Sequence, residues 1–269
     1  MLGYMKLLSR LGGWPIAEYQ ARRHFLACAS AAMLGVLALS SSQAGEATPP
    51  AQAASAAPEL RHVARLLARH SPITIIAFGS SSTEGVGAST PAHAYPAQLE
   101  ADLDALVPAG VTVVNRGIGG QDADDMLARL DRDVIAAKPD LVIWQTGTND
   151  PLRKLPLDRF ETETRDGIAR MRAAGIDVVL MEPQDCRMMR ATPGAFAYRD
   201  AVRRIGAEMA VPVVRRYDLI HRWLADGKVT EAQLMAPDGL HMADAGYERL
   251  AAEVAYELLA DAGRKPAAR

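Results

Sequence analysis

The sequence predicts an α/β protein in which a parallel β-sheet is covered by helices on both faces. Short β-branched apolar runs recur along the chain, separated by segments in which apolar residues have helical spacing. Continuous apolar runs are typical of strands buried on both faces, and strands that alternate with helices are typical of parallel sheets. The predicted strands are Ile73–Phe78, Val111–Asn115, Leu141–Thr146, Val178–Met181 and Val211–Val214.

The helices between these strands are predicted from apolar residues three or four positions apart, such as Leu99, Leu103 and Leu106. In sheets of this kind, ligands bind beyond the carboxyl ends of the strands. The residues that directly follow each strand are therefore the candidates for a functional site. The predicted helices are Tyr95–Leu106, Asp124–Ile135, about 158–173, about 196–210 and about Ala245–Ala260.

The first 58 residues differ in character from the rest. Arg22 and Arg23 precede a modest apolar run over residues 26–39, and Ser42 and Ala44 follow it at alternate positions. This arrangement is typical of a secretory signal peptide, and the paired arginines resemble a twin-arginine export signal. A membrane anchor would need about 20 mostly apolar residues. We therefore expect a signal peptide over 1–44, exported by the general or the twin-arginine route, with no membrane anchor after cleavage.

Residues 45–58 are small and proline-rich and predict a flexible linker. A single folded domain is then expected over 59–269, in a protein that is periplasmic or secreted. Of the two cysteines, Cys28 would leave with the signal peptide. Cys186 would have no intramolecular partner and is expected to be a packed thiol without a chemical role.

The composition excludes several classes of protein. Among 269 residues, 49% are hydrophobic and 23% are charged, which is a globular balance. The formal net charge of −2 provides no basic surface for nucleic acid, and 5% aromatic residues are few for a base-stacking platform. A P-loop, a dinucleotide fingerprint and clusters with metal-ligand spacing are missing from the sequence. We therefore predict no cofactor, no metal and no nucleic-acid partner.

Four segments hold residues suited to acyl transfer: Gly79–Gly85, Asn115–Gly120, Gly147–Asp150 and Asp238–His241. The first three follow predicted strands, and the fourth precedes the last helix. Each alone is compatible with ordinary turn and helix-cap chemistry. In combination they provide every group that serine catalysis requires.

The nucleophile of such a reaction would be Ser81. A serine hydroxyl needs a base to remove its proton and a third group to orient that base, and His241 and Asp238 suit these roles. The developing oxyanion needs preorganised donors. The Ser81 and Gly120 N–H groups and the Asn149 carboxamide, at three neighbouring strand ends, could supply them.

The order of these segments resembles the motif blocks of the SGNH, or GDSL, hydrolase family. Gly79-Ser80-Ser81-Ser82 is similar to the Gly-Asp-Ser-Leu signature, with serine in place of the aspartate and the leucine. The resemblance covers about residues 73–246. It implies a three-layer α/β/α fold with a five-stranded, doubly wound, flavodoxin-like sheet. It also implies an esterase with catalytic Ser81, Asp238 and His241 and an oxyanion hole of Ser81, Gly120 and Asn149.

Four questions stay open at this level. Three consecutive serines make the nucleophile depend on the alignment, although the spacing to Thr83 and Gly85 favours Ser81. The substrate is either an acetylated or short-chain ester, as in carbohydrate deacetylation, or a lysophospholipid or fatty-acyl ester. Residues 182–190 either line the pocket or form an exposed loop. The alternatives to a hydrolase are an acyltransferase or a non-catalytic carbohydrate-binding module on the same fold.

Overall fold

A computed structural model describes residues 59–263, which form three layers with a sheet in the middle. All strand pairs are parallel and the strand order is β2-β1-β3-β4-β5, so the predicted doubly wound sheet is confirmed. The predicted signal peptide and linker lie outside the described residues. The strands are β1 (Ile73–Gly79), β2 (Val111–Gly117), β3 (Leu141–Gln145), β4 (Asp177–Met181) and β5 (Val213–Val214).

Successive strands are added on one side of β1 first and then on the other side. Strand β1 pairs with β2 on one side and with β3 on the other, with Ile75 opposite both Val113 and Leu141. In an open parallel sheet such a switch point leaves a crevice at the carboxyl ends of the two central strands. The crevice here lies beyond Gly79 and Gln145, the last residues of β1 and β3.

The helices follow the predicted order, with differences at their ends. The five predicted helices are found within two residues of their expected bounds. The helix at the start of the domain, the one after β5 and the helices of four or five residues were not predicted. The helices are α1 (Arg61–Ala68), α2 (Ser81–Glu84), α3 (Tyr95–Asp104), α4 (Ala123–Asp133), α5 (Asn149–Leu152), α6 (Leu157–Ala173), α7 (Arg187–Ala191), α8 (Ala195–Met209), α9 (Arg216–Ala225), α10 (Glu231–Leu234) and α11 (Asp244–Asp261).

Alternate residues of β1 point to opposite faces of the sheet and build two separate cores. Ile75 and Ala77 pack with α1, α3, α9 and α11, whereas Ile76 and Phe78 pack with α4, α6 and α8. This period of two is inherent in an extended strand. It explains why the central strands read as continuous apolar runs, since both faces need apolar side chains.

The predicted fifth strand is shorter than expected. Only Val213 and Val214 of Val211–Val214 pair with β4. Pro212 has no N–H to donate, although its carbonyl accepts from Leu180. Within residues 59–263, no helix is long and apolar enough to cross a membrane.

Candidate active site

The predicted nucleophile lies at the tight turn between β1 and α2. Ser81 is the first residue of α2, and its side chain emerges at the crevice beyond the carboxyl end of β1. The residue is 8% exposed, so it is accessible but largely surrounded by protein. Gly85 ends the short helix with a left-handed φ of 105°.

The three predicted triad side chains are in direct contact. His241 Nε2 lies 2.8 Å from Ser81 Oγ, and His241 Nδ1 lies 2.6 Å from Asp238 Oδ2. The other oxygen of Asp238 accepts from the backbone N–H groups of Leu240 and His241, at 2.8 and 3.0 Å. This turn holds the carboxylate beside the ring. An Nδ1–H bound to Asp238 leaves the Nε2 lone pair free to accept the serine proton.

The same contacts control the charge of Asp238. Partial burial raises its pKa, but the hydrogen bonds from the His241 ring and from the two backbone N–H groups outweigh burial and lower the pKa to about 2. The carboxylate is therefore ionised at neutral pH. A negative charge beside Nδ1 stabilises the imidazolium that would form when the ring accepts a proton.

The three consecutive serine side chains have different partners. Ser81 Oγ contacts His241, Ser80 Oγ donates to Gln145 Oε1 at 3.0 Å, and the Ser82 hydroxyl interacts with Tyr247. The geometry therefore agrees with Ser81 as the nucleophile among the three candidates.

Gln145, the last residue of β3, braces the turn that carries Ser81. Its fully buried Oε1 accepts from the Ser80 N–H at 2.9 Å, the Ser80 hydroxyl at 3.0 Å and the Thr83 hydroxyl at 3.2 Å. Sequence reasoning did not single out Gln145. A polar residue at the end of a buried apolar strand was the available signal, because buried polar side chains need partners.

The segment after β2 packs closely against the nucleophile turn. A Cβ at Gly117 would lie 2.0 Å from the Glu84 backbone nitrogen, so only glycine allows this approach. A Cβ at Gly119 would lie 3.8 Å from Ser81 Cβ. Gly120 has a left-handed φ of 75°, and a Cβ at this position would meet no atom within 4 Å beyond its chain neighbours. A side chain at position 120 would therefore point into open space, one residue after the glycine that borders Ser81.

Asn149 contacts the segment that contains Gly120. Its Nδ2 donates to the Gln121 carbonyl at 2.8 Å, and the residue is 7% exposed. The predicted oxyanion donors therefore lie on adjoining segments: Gly119 borders Ser81, and Asn149 binds the residue after Gly120.

The neighbouring Asp150 is fully buried and supports the same segment. Its Oδ1 accepts from the Ala123 N–H at 2.8 Å, at the start of α4. Burial raises the pKa of Asp150 to about 6, although backbone hydrogen bonds, including the one from Ala123, act in the opposite direction.

Residues 182–190 are mostly buried and support the turn that carries His241. Gln184 Nε2 donates to the Leu240 carbonyl at 2.8 Å, and the Met188 N–H donates to the Gly239 carbonyl at 3.0 Å. The segment is therefore not a simple exposed loop, although Met188 is 38% exposed. Cys186 is a buried free thiol, and burial raises its pKa.

Two arginines that sequence reasoning also missed bind this edge of the sheet. Arg129, 5% exposed, donates to the Gly79 carbonyl at 2.9 Å and to Gln121 Oε1 at 2.6 Å. Arg153 donates to the Gly120 carbonyl at 3.3 Å. Arg129 could have been found in the sequence, because it lies on the predicted buried face of a helix. The sequence contains no comparable signal for Arg153. Across the described part of the chain, no group of three His, Cys, Asp or Glu side chains could hold a metal.

Comparisons with known proteins agree with this fold. Residues 46–255 match the family model described as the Non-GDSL lipase-like family. An arylesterase of Vibrio mimicus is 30% identical over 159 residues, which cover 58% of this chain and 75% of that protein. An acetylxylan esterase of Geobacillus stearothermophilus is 36% identical over 100 residues, 33% of this chain. The chain spans 46% of the length of that esterase.

A solved structure shows the same architecture. The lipase/acylhydrolase from Enterococcus faecalis superposes with a TM-score of 0.61 at 25% identity. The superposition covers 72% of this chain and all of that one.

Proposed function

The chain belongs to the Non-GDSL lipase-like family, and we propose that it is a serine esterase of the SGNH type that cleaves carboxylic esters through an acyl-enzyme on Ser81. The observation that carries this proposal is the hydrogen-bonded series from Ser81 through His241 to Asp238, with distances of 2.8 and 2.6 Å. These are the lengths and the order that activation of a serine hydroxyl requires.

The reaction begins with attack on the ester carbonyl. Ser81 Oγ forms a bond to the carbonyl carbon while its proton moves to His241 Nε2, and the carbonyl oxygen becomes an oxyanion. The Ser81 and Gly120 N–H groups and the Asn149 amide stabilise that oxygen. The tetrahedral intermediate then collapses, and His241 gives its proton to the departing alkoxide.

Hydrolysis of the acyl-enzyme reverses these roles. His241 takes a proton from water, the hydroxide attacks the acyl carbon, and the Ser81 oxygen leaves with the proton from the ring. Asp238 keeps the imidazole in one tautomer through both steps and does not itself take up the proton. The net reaction converts one ester and one water to one acid and one alcohol.

The preferred substrates are esters of a short acyl group, such as acetyl. The similarity to an acetylxylan esterase favours a carbohydrate alcohol, and the similarity to an arylesterase favours an aromatic alcohol. A local feature favours an apolar alcohol: among the described residues, the exposed large hydrophobic side chains are Val86, Ile118 and Met188. Their backbone N–H groups bond to the carbonyls of Ser81, Gly79 and Gly239 respectively, so all three border the catalytic turns.

The proposed location is the periplasm or the extracellular medium. The arginine pair, the apolar run and the small residues up to Ala44 support export. N-terminal sequencing of the protein from the periplasmic fraction should give Gly45 as the first residue. An intact N-terminus in the membrane fraction would contradict this proposal.

The decisive experiment compares hydrolysis of p-nitrophenyl acetate, p-nitrophenyl laurate and an acetylated xylo-oligosaccharide by the purified protein. We expect turnover of the acetyl esters and its loss in Ser81→Ala. Ser71→Ala serves as the matched control, because Ser71 precedes β1 at the opposite edge of the sheet. Full activity of Ser81→Ala would show the nucleophile assignment to be wrong. Acyl transfer to an added sugar without hydrolysis would favour a transferase, and faster laurate turnover would favour a lipid ester.

A further inference from the structure

The segment that carries the proposed Gly120 donor has little regular structure of its own. It lies between the end of β2 at Gly117 and the start of α4 at Ala123. It includes Gly119 and Gly120, and glycine has the largest conformational freedom of any residue. An oxyanion donor must be preorganised to be effective. Something outside the segment must therefore hold it.

Three side chains from residues 149–153, which follow β3, contact this segment. Asn149 donates to the Gln121 carbonyl and Asp150 accepts from the Ala123 N–H, each at 2.8 Å. Arg153 adds the contacts nearest the proposed donor. Its Nη1 donates to the Gly120 carbonyl at 3.3 Å and lies 3.1 Å from Asp122 Oδ2.

Arg153 is itself held in place. Its backbone N–H donates to the Asn149 carbonyl at 2.7 Å, and its guanidinium also pairs with Asp125 in the first turn of α4. The guanidinium thus ties the end of α5 to both the Gly120 peptide and the start of α4. The same nitrogen, Nη1, makes all three contacts.

We propose that Arg153 is a positioning residue of the oxyanion hole, which holds the Gly120 carbonyl and the Asp122 carboxylate so that the Gly120 N–H remains directed at the reacting carbonyl oxygen. This inference rests on the proposed esterase function and extends it to a residue that does not touch the substrate.

The exposure of Arg153 separates this role from a general effect on stability. Its side chain is 49% exposed and that of Asp125 is 40% exposed, and ion pairs at exposed sites contribute little to the free energy of unfolding. The Asp122 side chain is only 8% exposed, so Tm is measured beside the activity of each variant. Arg159 offers a matched control. It is 57% exposed and pairs with Asp124, also in the first turn of α4, at 2.6 Å, but its contacts do not include the Gly120 segment.

The test measures kcat and KM on p-nitrophenyl acetate for Arg153→Met, Arg153→Lys and Arg159→Met. It also measures Ki for a phenyl trifluoromethyl ketone, whose serine adduct carries an oxyanion. Loss of a whole oxyanion donor lowers kcat about 10²–10³-fold, so we expect a loosened donor to lower it about tenfold. Arg153→Met should show that decrease with KM within about twofold of wild type, and Ki should rise by the same factor. Arg153→Lys should recover part of kcat, and Arg159→Met should match wild type.

Several results would overturn the inference. One is a kcat of Arg153→Met within about twofold of wild type, and another is an equal decrease in Arg159→Met. A lower kcat with unchanged Ki, or a Tm decrease of more than about 5 °C, would assign Arg153 a different or merely structural role. Ser81→Ala is measured in parallel. Its full activity would refute the esterase mechanism itself, whereas its inactivity beside an unaffected Arg153→Met refutes only the role of Arg153.

Discussion

Replacement of Gln145 by methionine should weaken both the fold and the nucleophile turn. Methionine keeps the length and approximate volume of the side chain but removes the oxygen that accepts three hydrogen bonds. The donors are the Ser80 N–H, the Ser80 hydroxyl and the Thr83 hydroxyl, at 2.9 to 3.2 Å. Ser80 and Thr83 are 1% and 0% exposed, so water cannot easily replace the lost acceptor.

The expected loss can be worked out donor by donor. A buried donor without a partner costs about 1–3 kcal/mol. The Ser80 N–H is fixed by the backbone and should carry a penalty of about 2 kcal/mol, while the two hydroxyls can rotate and should cost about 0.5 kcal/mol each. The free energy of unfolding should therefore fall by about 3 kcal/mol. Ser81 follows directly on the unsupported residue, so its reaction with a fluorophosphonate should also slow.

Urea unfolding followed by tryptophan fluorescence provides the assay, with the m-value as a check that the transition is unchanged. Gln98→Met is the control, because the Gln98 amide makes one bond, to the His93 carbonyl, at a partly exposed site. It should cost less than about 1 kcal/mol. Ser80→Ala should destabilise the wild-type protein, but it should have almost no effect on stability when it is made in the Gln145→Met variant. A loss below about 1 kcal/mol for Gln145→Met, or additive effects in the double variant, would refute the bracing role.

Three further predictions concern the site. Gly120→Ala should lower kcat/KM more than about tenfold, because a left-handed φ costs alanine about 1–2 kcal/mol and the methyl group would enter the open space. Gly175→Ala is the control, since Gly175 has a similar φ of 81° and equally open space, and it should affect stability alone. Asp238→Asn should lower kcat roughly 10³–10⁴-fold with little change in Tm, because an amide favours the wrong tautomer; a decrease below about tenfold would show that the carboxylate is dispensable. Asp150 has a pKa of about 6 in the folded state, above the ordinary aspartate pKa of 3.8. The folded state therefore binds the proton of Asp150 more tightly than the unfolded state does, and the contribution of this group to stability falls as pH rises from about 4 to 6. The shift of about 2 pKa units corresponds to about 3 kcal/mol. Urea titrations at about pH 4 and pH 8 should show that Asp150→Asn removes this part of the pH dependence, and an identical pH profile would contradict it.

The strands and their ends were predictable because they follow local rules. A strand buried on both faces needs apolar residues in succession, and β1, β3 and β4 show that pattern until the turn residues begin. The sequence analysis failed at β5 and at α1 for different reasons. Strand β5 is shortened by a local property that was overlooked, because Pro212 cannot donate a backbone hydrogen bond. Helix α1 depends on a tertiary contact, since its His62 and Val63 N–H groups bind the Asp177 carboxylate.

The four motif segments could be identified in the sequence, but the distances between their side chains could not. Ser81 and His241 are 160 positions apart, and the 2.8 Å between their side chains depends on the packing of α11 against α3, which positions the turn before α11. The serine at position 80, in place of the aspartate of the signature, indicated a change in how the turn is braced, but the sequence did not show which residue braces it. In the structure, Gln145 from the neighbouring strand accepts from the Ser80 side chain as well as from its backbone.

The sequence by itself determined the layer order, the strand ends and the types of residue available for acyl transfer. These properties depend on periodicity and turn chemistry, which act over a few residues. Only the tertiary structure decided which of three serines contacts the histidine and which side chains support the nucleophile and the Gly120 segment. The hydrogen bonds of Gln145 with Ser80, Arg129 with Gly79 and Arg153 with Gly120 join parts of the chain that are 33 to 65 residues apart. Such contacts depend on directions in space that no local pattern encodes.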